Sequence, residues 1–311
     1  MSISGDSFAA YVEARRVEVD EALARAVPAV EGRLSPIYEA MRYSLFAGGK
    51  RFRPILVLAA ADAVADRPDA RALAMPAACA IEMIHTYSLI HDDLPAMDDD
   101  TLRRGKPTLH VVHGEGAAIL AGDGLHAEAF GLLAREPEST GHPDLARRKL
   151  AVLGRVAEAV GAAGMVGGQA IDLRVAGQLH ERVGMSAEDL RDMHARKTGA
   201  LIRASAVAGA VMAGGSDGQV AAIDAYAASL GLAFQIVDDI LDIEGAGEAL
   251  GKTVGKDAAA GKPTYPAVFG LEPSRVMARE AIDAAKGALA RERLDRSRLA
   301  DIAEWVISRS S

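Results

Sequence analysis

"AMPAACAIEMIHTYSLIHDDLPAMDDD", residues 74–100, decides how the rest of the chain is read. Its apolar residues recur at helical spacing and run into five aspartates within nine positions, with Arg103, Arg104 and Lys106 directly beyond. Ile81, His85, Ser88 and Asp92 share one helical stripe, and Pro95 ends the regular helix just after Asp93. The spacing predicts a long helix, with Pro76 tolerated only near its start. Carboxylates this dense repel one another, so the stretch calls for a cation among them.

A second acidic stretch, "GLAFQIVDDILDIE" (231–244), is built the same way. Asp238 and Asp242 are four apart and share a face that Gln235 and Gly231 extend, with Asp239 beside them. Leu230, Phe234, Val237 and Leu241 form the adjoining apolar stripe. Two acidic ends, each next to a buried stripe, need hard cations between them. All-oxygen ligands point to Mg²⁺ or Mn²⁺ rather than zinc. Neither stretch has the alternating ligands, central Gly and terminal Glu of an EF-hand.

Either run alone could be a solvated turn. Two of them, accompanied by cation clusters, favour a site for a metal-bound polyanion. "GGKRFRP" supplies Lys50, Arg51 and Arg53; "LRRGKP" supplies Arg103 and Arg104; "ARKTGAL" supplies Arg196, Lys197 and Thr198. Lys252, Lys256 and Lys262 lie in a Gly- and Lys-rich stretch over 244–266 that reads as a lid loop. Arginine forks and lysine point charges suit a diphosphate. No nucleotide-binding glycine motif is present, so the diphosphate is not expected to belong to ATP or a dinucleotide. Apolar stripes running below it suggest a hydrophobic tail.

Half of the residues are hydrophobic but only 4% are aromatic, which suits closely packed alanine-rich helices. Further helices are predicted from residue 37 to the Gly48–Gly49 pair, over 117–136, and over roughly 144–161, 186–212 and 218–243. No strand alternation, repeat or linker is evident, so a single all-α domain over 1–311 is expected. The net charge of −8 argues against nonspecific binding to nucleic acid or acidic membranes. Cys79 is the lone cysteine, which fits a reducing compartment and a cytoplasmic location. No secretory signal and no stretch approaching the roughly 20 apolar residues of a membrane span are expected.

"DDLPAMD" (92–98) and "DDILD" (238–242) resemble the two aspartate-rich motifs of the trans-isoprenyl diphosphate synthases, the polyprenyl synthetase family. "GGKRFRP", "RRGKP", "GGQAIDL" (167–173), "KTGAL" (197–201) and "GKTVGKD" (251–257) match further motifs in the family's order. The first motif, with four residues between its aspartate pair and Asp98, is similar to that of the bacterial farnesyl diphosphate synthase group. The resemblance implies an isoprenoid synthase fold, an antiparallel helix bundle around a central apolar cavity, in a homodimer. It implies Mg²⁺-dependent 1′-4 head-to-tail condensation of isopentenyl diphosphate with dimethylallyl or geranyl diphosphate, through an allylic carbocation. About three Mg²⁺ ions, or Mn²⁺, would sit between Asp92 and Asp98 on one wall and Asp238 on the other. Asp93, Asp239 and Asp242 would give direct or water-mediated support.

By the same resemblance, Arg103, Lys197, Thr198, Gln235, Lys252 and Lys262 would bind or cover the allylic diphosphate. Lys50, Arg53, His85 and Arg104 would hold isopentenyl diphosphate. Lys197, Thr198 and Gln235 would also face the cation, and Gln169 and Asp172 would orient Lys197 or solvent. Tyr87 and Ser88, five and four residues before Asp92, would set product length, and a large side chain there goes with farnesyl products in this family. The alternatives are a geranyl or geranylgeranyl diphosphate synthase, a class I terpene cyclase, and a non-catalytic regulatory subunit. The cyclase normally lacks a second "DDILD" and has no need of Lys50, Arg53 and His85.

Overall fold

The computed structural model describes residues 7–65, 67, 69–138, 143–179, 184–244 and 264–309. Alanine-rich segments with apolar stripes form helices throughout, as their propensity and periodicity require. In chain order these are α1 (Phe8–Ala26), α2 (Ser35–Leu45), α3 (Phe52–Val64), α4 (Ala70–Asp92), α5 (Leu109–His113), α6 (Glu115–Arg135), α7 (Leu145–Val160), α8 (Met165–Ala176) and α9 (Ala187–His194). After a π-helical turn, Ala195–Gly199, come α10 (Ala200–Ala213), α11 (Asp217–Ile243), α12 (Tyr265–Phe269), α13 (Leu271–Ala290) and α14 (Arg298–Ser308).

α4 lies against α3, α6 and α10, and α11 against α10 and α13, so the two acidic helices are joined through α10. One apolar core gathers around α4, another around α11 with α13 and α14, and a third under α9 and α12. Small side chains let backbones meet. At Gly209 a Cβ would stand 1.9 Å from the Val57 carbonyl oxygen, so α10 and α3 touch only because that position is glycine.

Several expectations are corrected. Pro76 is not near the start of its helix: α4 begins at Ala70 and takes the proline inside. The predicted 186–212 helix is interrupted by the π-turn, and α8 forms where no helix was anticipated. A two-residue-per-strand hairpin, Leu102–Arg103 with Lys106–Pro107, follows the first acidic motif, although no strand was expected.

Nor does the expectation about membrane spans hold by composition. Ala70–Asp92, Glu115–Arg135, Leu145–Ala176 and Asp217–Ile243 are long and apolar enough to cross a membrane by length and composition alone. Alanine raises their hydropathy without any long run of large apolar residues. In the fold Leu145–Ala176 is broken into α7 and α8, and α4 is the most enclosed of the four segments.

The "GGKRFRP" turn is set by its second basic residue. Arg51 takes a left-handed backbone (φ 49°) and sinks its guanidinium into the core. There it pairs with Asp20 at 2.7 Å and buried Glu82 at 2.8 Å, and donates to the Leu45 carbonyl at 2.7 Å. With Arg51 thus committed to the interior, Lys50 and Arg53 flank it at the turn and the start of α3.

Candidate active site

Both acidic motifs sit at helix C-termini, Asp92 and Asp93 at the end of α4 and Asp238–Asp242 in the last turns of α11. That is the unfavourable end of the helix dipole for a carboxylate. On the first wall the chain folds back at once. The Asp98 N–H donates to the Asp92 carbonyl at 2.8 Å and the Asp100 N–H to the Asp93 carbonyl at 3.1 Å. This short loop brings Asp98 beside Asp92. Burial pushes the Asp92 carboxyl up to about 6, with Asp98 and Asp93 adding to the rise and Lys197 and Arg103 opposing it. The Gln169 amide, from α8, donates to its Oδ1.

Asp93 has a different employment. Arg103 Nε, on the hairpin, donates to its two oxygens at 2.7 and 3.0 Å. The pair fixes the hairpin against α4. On the second wall Asp239 is similarly committed, accepting from Gln235 Nε2 at 2.9 Å and from the Tyr265 N–H at 2.9 Å. Gln235 thereby keeps its amide oxygen available. Asp238 is more open, 43% exposed at its side chain, and Arg309 reaches it at 2.7 Å while also donating to the Phe234 carbonyl. Asp242 is half-buried one turn further on. Asp93 and Asp239 thus hold neighbouring elements against their helices, which leaves Asp92, Asp98, Asp238 and Asp242 as the candidate metal ligands.

Between the walls runs the π-turn. Such turns widen a helix by one residue and concentrate at functional sites. Lys197 lies in it, with Nζ on Asp172 of α8 at 2.5 Å, and Thr198 follows half-buried. α8 can approach because residue 168 is glycine: a Cβ there would meet the Lys197 nitrogen at 2.3 Å. Gly168→Ala is therefore expected to push α8 off the turn and lower turnover at least about tenfold, at a stability cost of about 1–3 kcal/mol. Steady-state kinetics beside a thermal melt would check both; a wild-type kcat would show that the contact is not needed.

The cationic wall is assembled around Arg53. Its Nε is buried and has no hydrogen-bond partner among the described residues. Burial lowers its pKa to about 10, opposed by Glu82 and Asp238 and reinforced by Arg104. A buried guanidinium N–H left without an acceptor is costly, which makes Arg53 a candidate seat for an incoming anion. Arg104 stands nearby in a left-handed conformation (φ 54°), donating to the Gly48 carbonyl. Gly49 takes a φ of 124°, which favours glycine, and the Arg104 guanidinium packs directly over it. Lys50 lies over the Trp305 ring at 5.6 Å, and its pKa is lowered by burial and by Arg309. His85 is half-buried on α4. Lys252, Lys256 and Lys262, with the rest of the expected lid, lie outside the described residues.

Below Asp92, Tyr87 is buried and its ring lies 4.6 Å from that of His126 on α6, which meets Phe130 edge-on at 5.3 Å. The Ser88 hydroxyl turns away to the His85 carbonyl at 2.9 Å. Arg309, Trp305 and His126 were not anticipated. Arg309 belongs to no motif and lies 71 residues beyond Asp238, so only an amphipathic α14 carrying Trp305 hinted at it.

His194, just before the π-turn, is also unforeseen. Burial pushes its imidazole down to about 4, with Asp172 opposing and Lys197 reinforcing. The unfolded chain takes up a proton near pH 6.5 that the folded chain refuses until about pH 4. Stability therefore falls as pH drops through that interval, by at most about 1.4 kcal/mol per pH unit. Urea midpoints at pH 7 and pH 5 should differ less in His194→Gln than in the wild-type protein.

Among the described residues no three His, Cys, Asp or Glu side chains gather as a metal cage. Carboxylates divided between two walls fit hard cations that a bound diphosphate helps to ligate. Arg104 feels both Asp93 and Arg53, and Arg53 feels Asp238, so the cationic turn lies between the two acidic motifs. The model of the polyprenyl synthetase family matches residues 35–300. The chain belongs to that family. It is a trans-prenyltransferase by descent, with the all-helical isoprenoid synthase fold that the resemblance implied. A farnesyl diphosphate synthase of Geobacillus stearothermophilus is 45% identical over 299 residues, which cover 96% of this chain and 97% of that protein. A chloroplastic geranylfarnesyl diphosphate synthase of Leucosceptrum canum is 49% identical over 87% of this chain and 71% of its own length. Among solved structures, the apo crystal structure of an FPP/GFPP synthase from Zymomonas mobilis superposes with a TM-score of 0.80, at 36% identity and covering 97% of both chains. This polyprenyl synthetase thus resembles relatives named for products of different length.

Proposed function

We propose that this prenyltransferase makes farnesyl diphosphate, by head-to-tail condensation of isopentenyl diphosphate with dimethylallyl and then geranyl diphosphate. The observation that supports the length is the buried Tyr87 ring, tilted against His126 at 4.6 Å on the stretch of α4 before Asp92. Magnesium ions held by Asp92, Asp98 and Asp238, with Asp242 at hand, would neutralise the allylic diphosphate and stabilise it as the leaving group. Arg103, Lys197 and the residues around them orient that diphosphate, and charge separation is then favoured more than the ester itself. The Gln235 amide oxygen and the backbone around Lys197 and Thr198 face the developing allylic cation. Arg53, Arg104, Lys50 and His85 hold isopentenyl diphosphate so that its alkene meets C1. Packed apolar walls exclude the water that would intercept the cation. A homodimer is part of the reading: Val111, Val112, Ile119 and Leu120 of α5 and α6 stand 44–60% exposed on one side of the molecule.

A longer product is the second reading. It is favoured by the small side chain of Ser88, whose hydroxyl is turned back to the His85 carbonyl one turn from Asp92. Incubation with Mg²⁺, isopentenyl diphosphate and either primer, followed by mass analysis of the dephosphorylated alcohols, decides between them. Farnesol from both primers supports the proposal, and geranylgeraniol or longer alcohols the second reading. No consumption of isopentenyl diphosphate would overturn both. Arg53→Gln should raise the KM for isopentenyl diphosphate at least about tenfold and leave that for the allylic primer nearly unchanged.

A further inference from the structure

Arg309 gives the second acidic motif a cation of its own. Its Nη2 lies 2.7 Å from Asp238 Oδ1 and donates at 2.7 Å to the Phe234 carbonyl, while its Nε donates at 3.2 Å to the Val306 carbonyl. The guanidinium also covers the Phe234 ring at 3.9 Å. Two carbonyls and a ring therefore hold it whether or not Asp238 is engaged elsewhere. With its side chain only 7% exposed, it is a fixed charge and not a mobile surface partner.

Asp238, a candidate metal ligand, thus carries a guanidinium, whereas Asp92 at the end of α4 takes the neutral Gln169 amide. Lys50 adds to the positive field at Asp238. Its pKa is lowered by Arg309 and raised by Asp238, which places the three groups together. Stability alone is a poor reason for the Arg309 pair. Asp238 is 43% exposed, where an ion pair contributes little, and burial lowers the Arg309 pKa against the pull of Asp238. What the arrangement does is keep a positive charge at the carboxylate before any metal arrives.

We propose that Arg309 is a positioning residue that weakens divalent-cation binding at Asp238, because an ion there must share the carboxylate with a separately anchored positive charge. The inference rests on Asp238 being a metal ligand, as in the proposed function. Its consequence falls at the end of turnover. Inorganic diphosphate, the second product of prenyl transfer, is bound through the same cations. A cation held loosely at Asp238 lets that diphosphate go, whereas one held by an undivided carboxylate would retain it. Repulsion between Arg309 and the cation acts in the free protein and in the product complex alike.

The test is Mn²⁺ binding to the full chain, measured by electron paramagnetic resonance with and without inorganic diphosphate. Arg309→Met is expected to tighten binding about three- to tenfold, since Asp238 is no longer shared with a guanidinium. Arg309→Lys keeps the charge and should stay within about twofold of the wild type. In an Asp238→Asn background Arg309→Met should tighten nothing, which a double-mutant cycle would show. Diphosphate should also dissociate more slowly from Arg309→Met, by a factor similar to the gain in Mn²⁺ affinity. A merely structural role predicts the opposite sign, because loosening the end of α14 would weaken binding in both Arg309 variants. The proposal is overturned if Arg309→Met leaves Mn²⁺ affinity unchanged or lower, if Arg309→Lys tightens it equally, or if the gain survives Asp238→Asn. A wild-type chain that binds no Mn²⁺ even with diphosphate would overturn the metal reading of Asp238 along with it.

Discussion

Replacing Asp92 with asparagine is expected to lower kcat/KM by about a thousandfold or more, equivalent to about 4 kcal/mol of transition-state stabilisation. The carboxylate sits at the C-terminus of α4, deep enough that burial raises its pKa to about 6, and beside Asp98 and Asp93. Burial and the helix C-terminus outweigh the help that Lys197, Arg103 and the Gln169 amide give the negative charge, so a cation shared with it would be stabilising. Asparagine keeps the shape and an oxygen for Gln169, so the variant should fold and melt near the wild type. What it loses is the charge that holds a metal-bound diphosphate.

Asp93→Asn is the informative companion. Its carboxylate serves Arg103 rather than the open space, so its loss should act through a loosened hairpin and cost less, about ten- to a hundredfold. Turnover measured against Mg²⁺ concentration for both variants checks the order. Should Asp92→Asn lose less than tenfold, or Asp93→Asn prove the worse of the two, the division into facing and wall-holding carboxylates would be wrong.

That division was only half legible in the chain. Helical spacing put Asp92 on the stripe of His85 and Ser88, and Asp238 on that of Asp242, because side-chain direction along a helix depends on spacing alone. Which of two adjacent aspartates faces the cavity depends on partners far away, Arg103 for Asp93 and the Tyr265 N–H for Asp239, and spacing carries no such information. The π-turn is hidden for a related reason. One extra residue per turn leaves the apolar pattern of 186–212 nearly intact, and only its tertiary partner, Gly168, marks where the backbone bulges. Pro76 misled because its rule concerns an isolated helix, whereas α4 is enclosed by α3, α6 and α10, whose packing compensates one missing hydrogen bond. Arg51 is the reverse case, a basic residue of the signature turn that the core consumes through Glu82 and Asp20.

Tyr87→Ala should lengthen the main product from farnesyl to geranylgeranyl diphosphate or beyond, a change of chemical identity and not of rate alone. The tyrosine is held by two rings, His91 edge-on at 5.7 Å and His126 tilted at 4.6 Å, the latter backed by Phe130. A ring so fixed cannot swing aside for a growing chain, since its neighbours are themselves packed. On the proposed function the isoprenoid tail would leave Asp92 along α4 toward the N-terminus, and Tyr87 stands roughly 7.5 Å down that axis, five residues at 1.5 Å each. Truncation to alanine removes the ring and leaves a void that a fourth prenyl unit can fill. The stability cost is about 3–5 kcal/mol, so a melt must accompany the product analysis. Tyr87→Phe is the control, keeping the ring and hence the farnesyl product while losing the hydroxyl. His126→Ala removes the stacking support from below and should lengthen the product less, because Tyr87 stays above it. If a folded Tyr87→Ala protein still releases farnesyl diphosphate alone, the stop lies elsewhere, and the Tyr87–His126 stack is packing between α4 and α6.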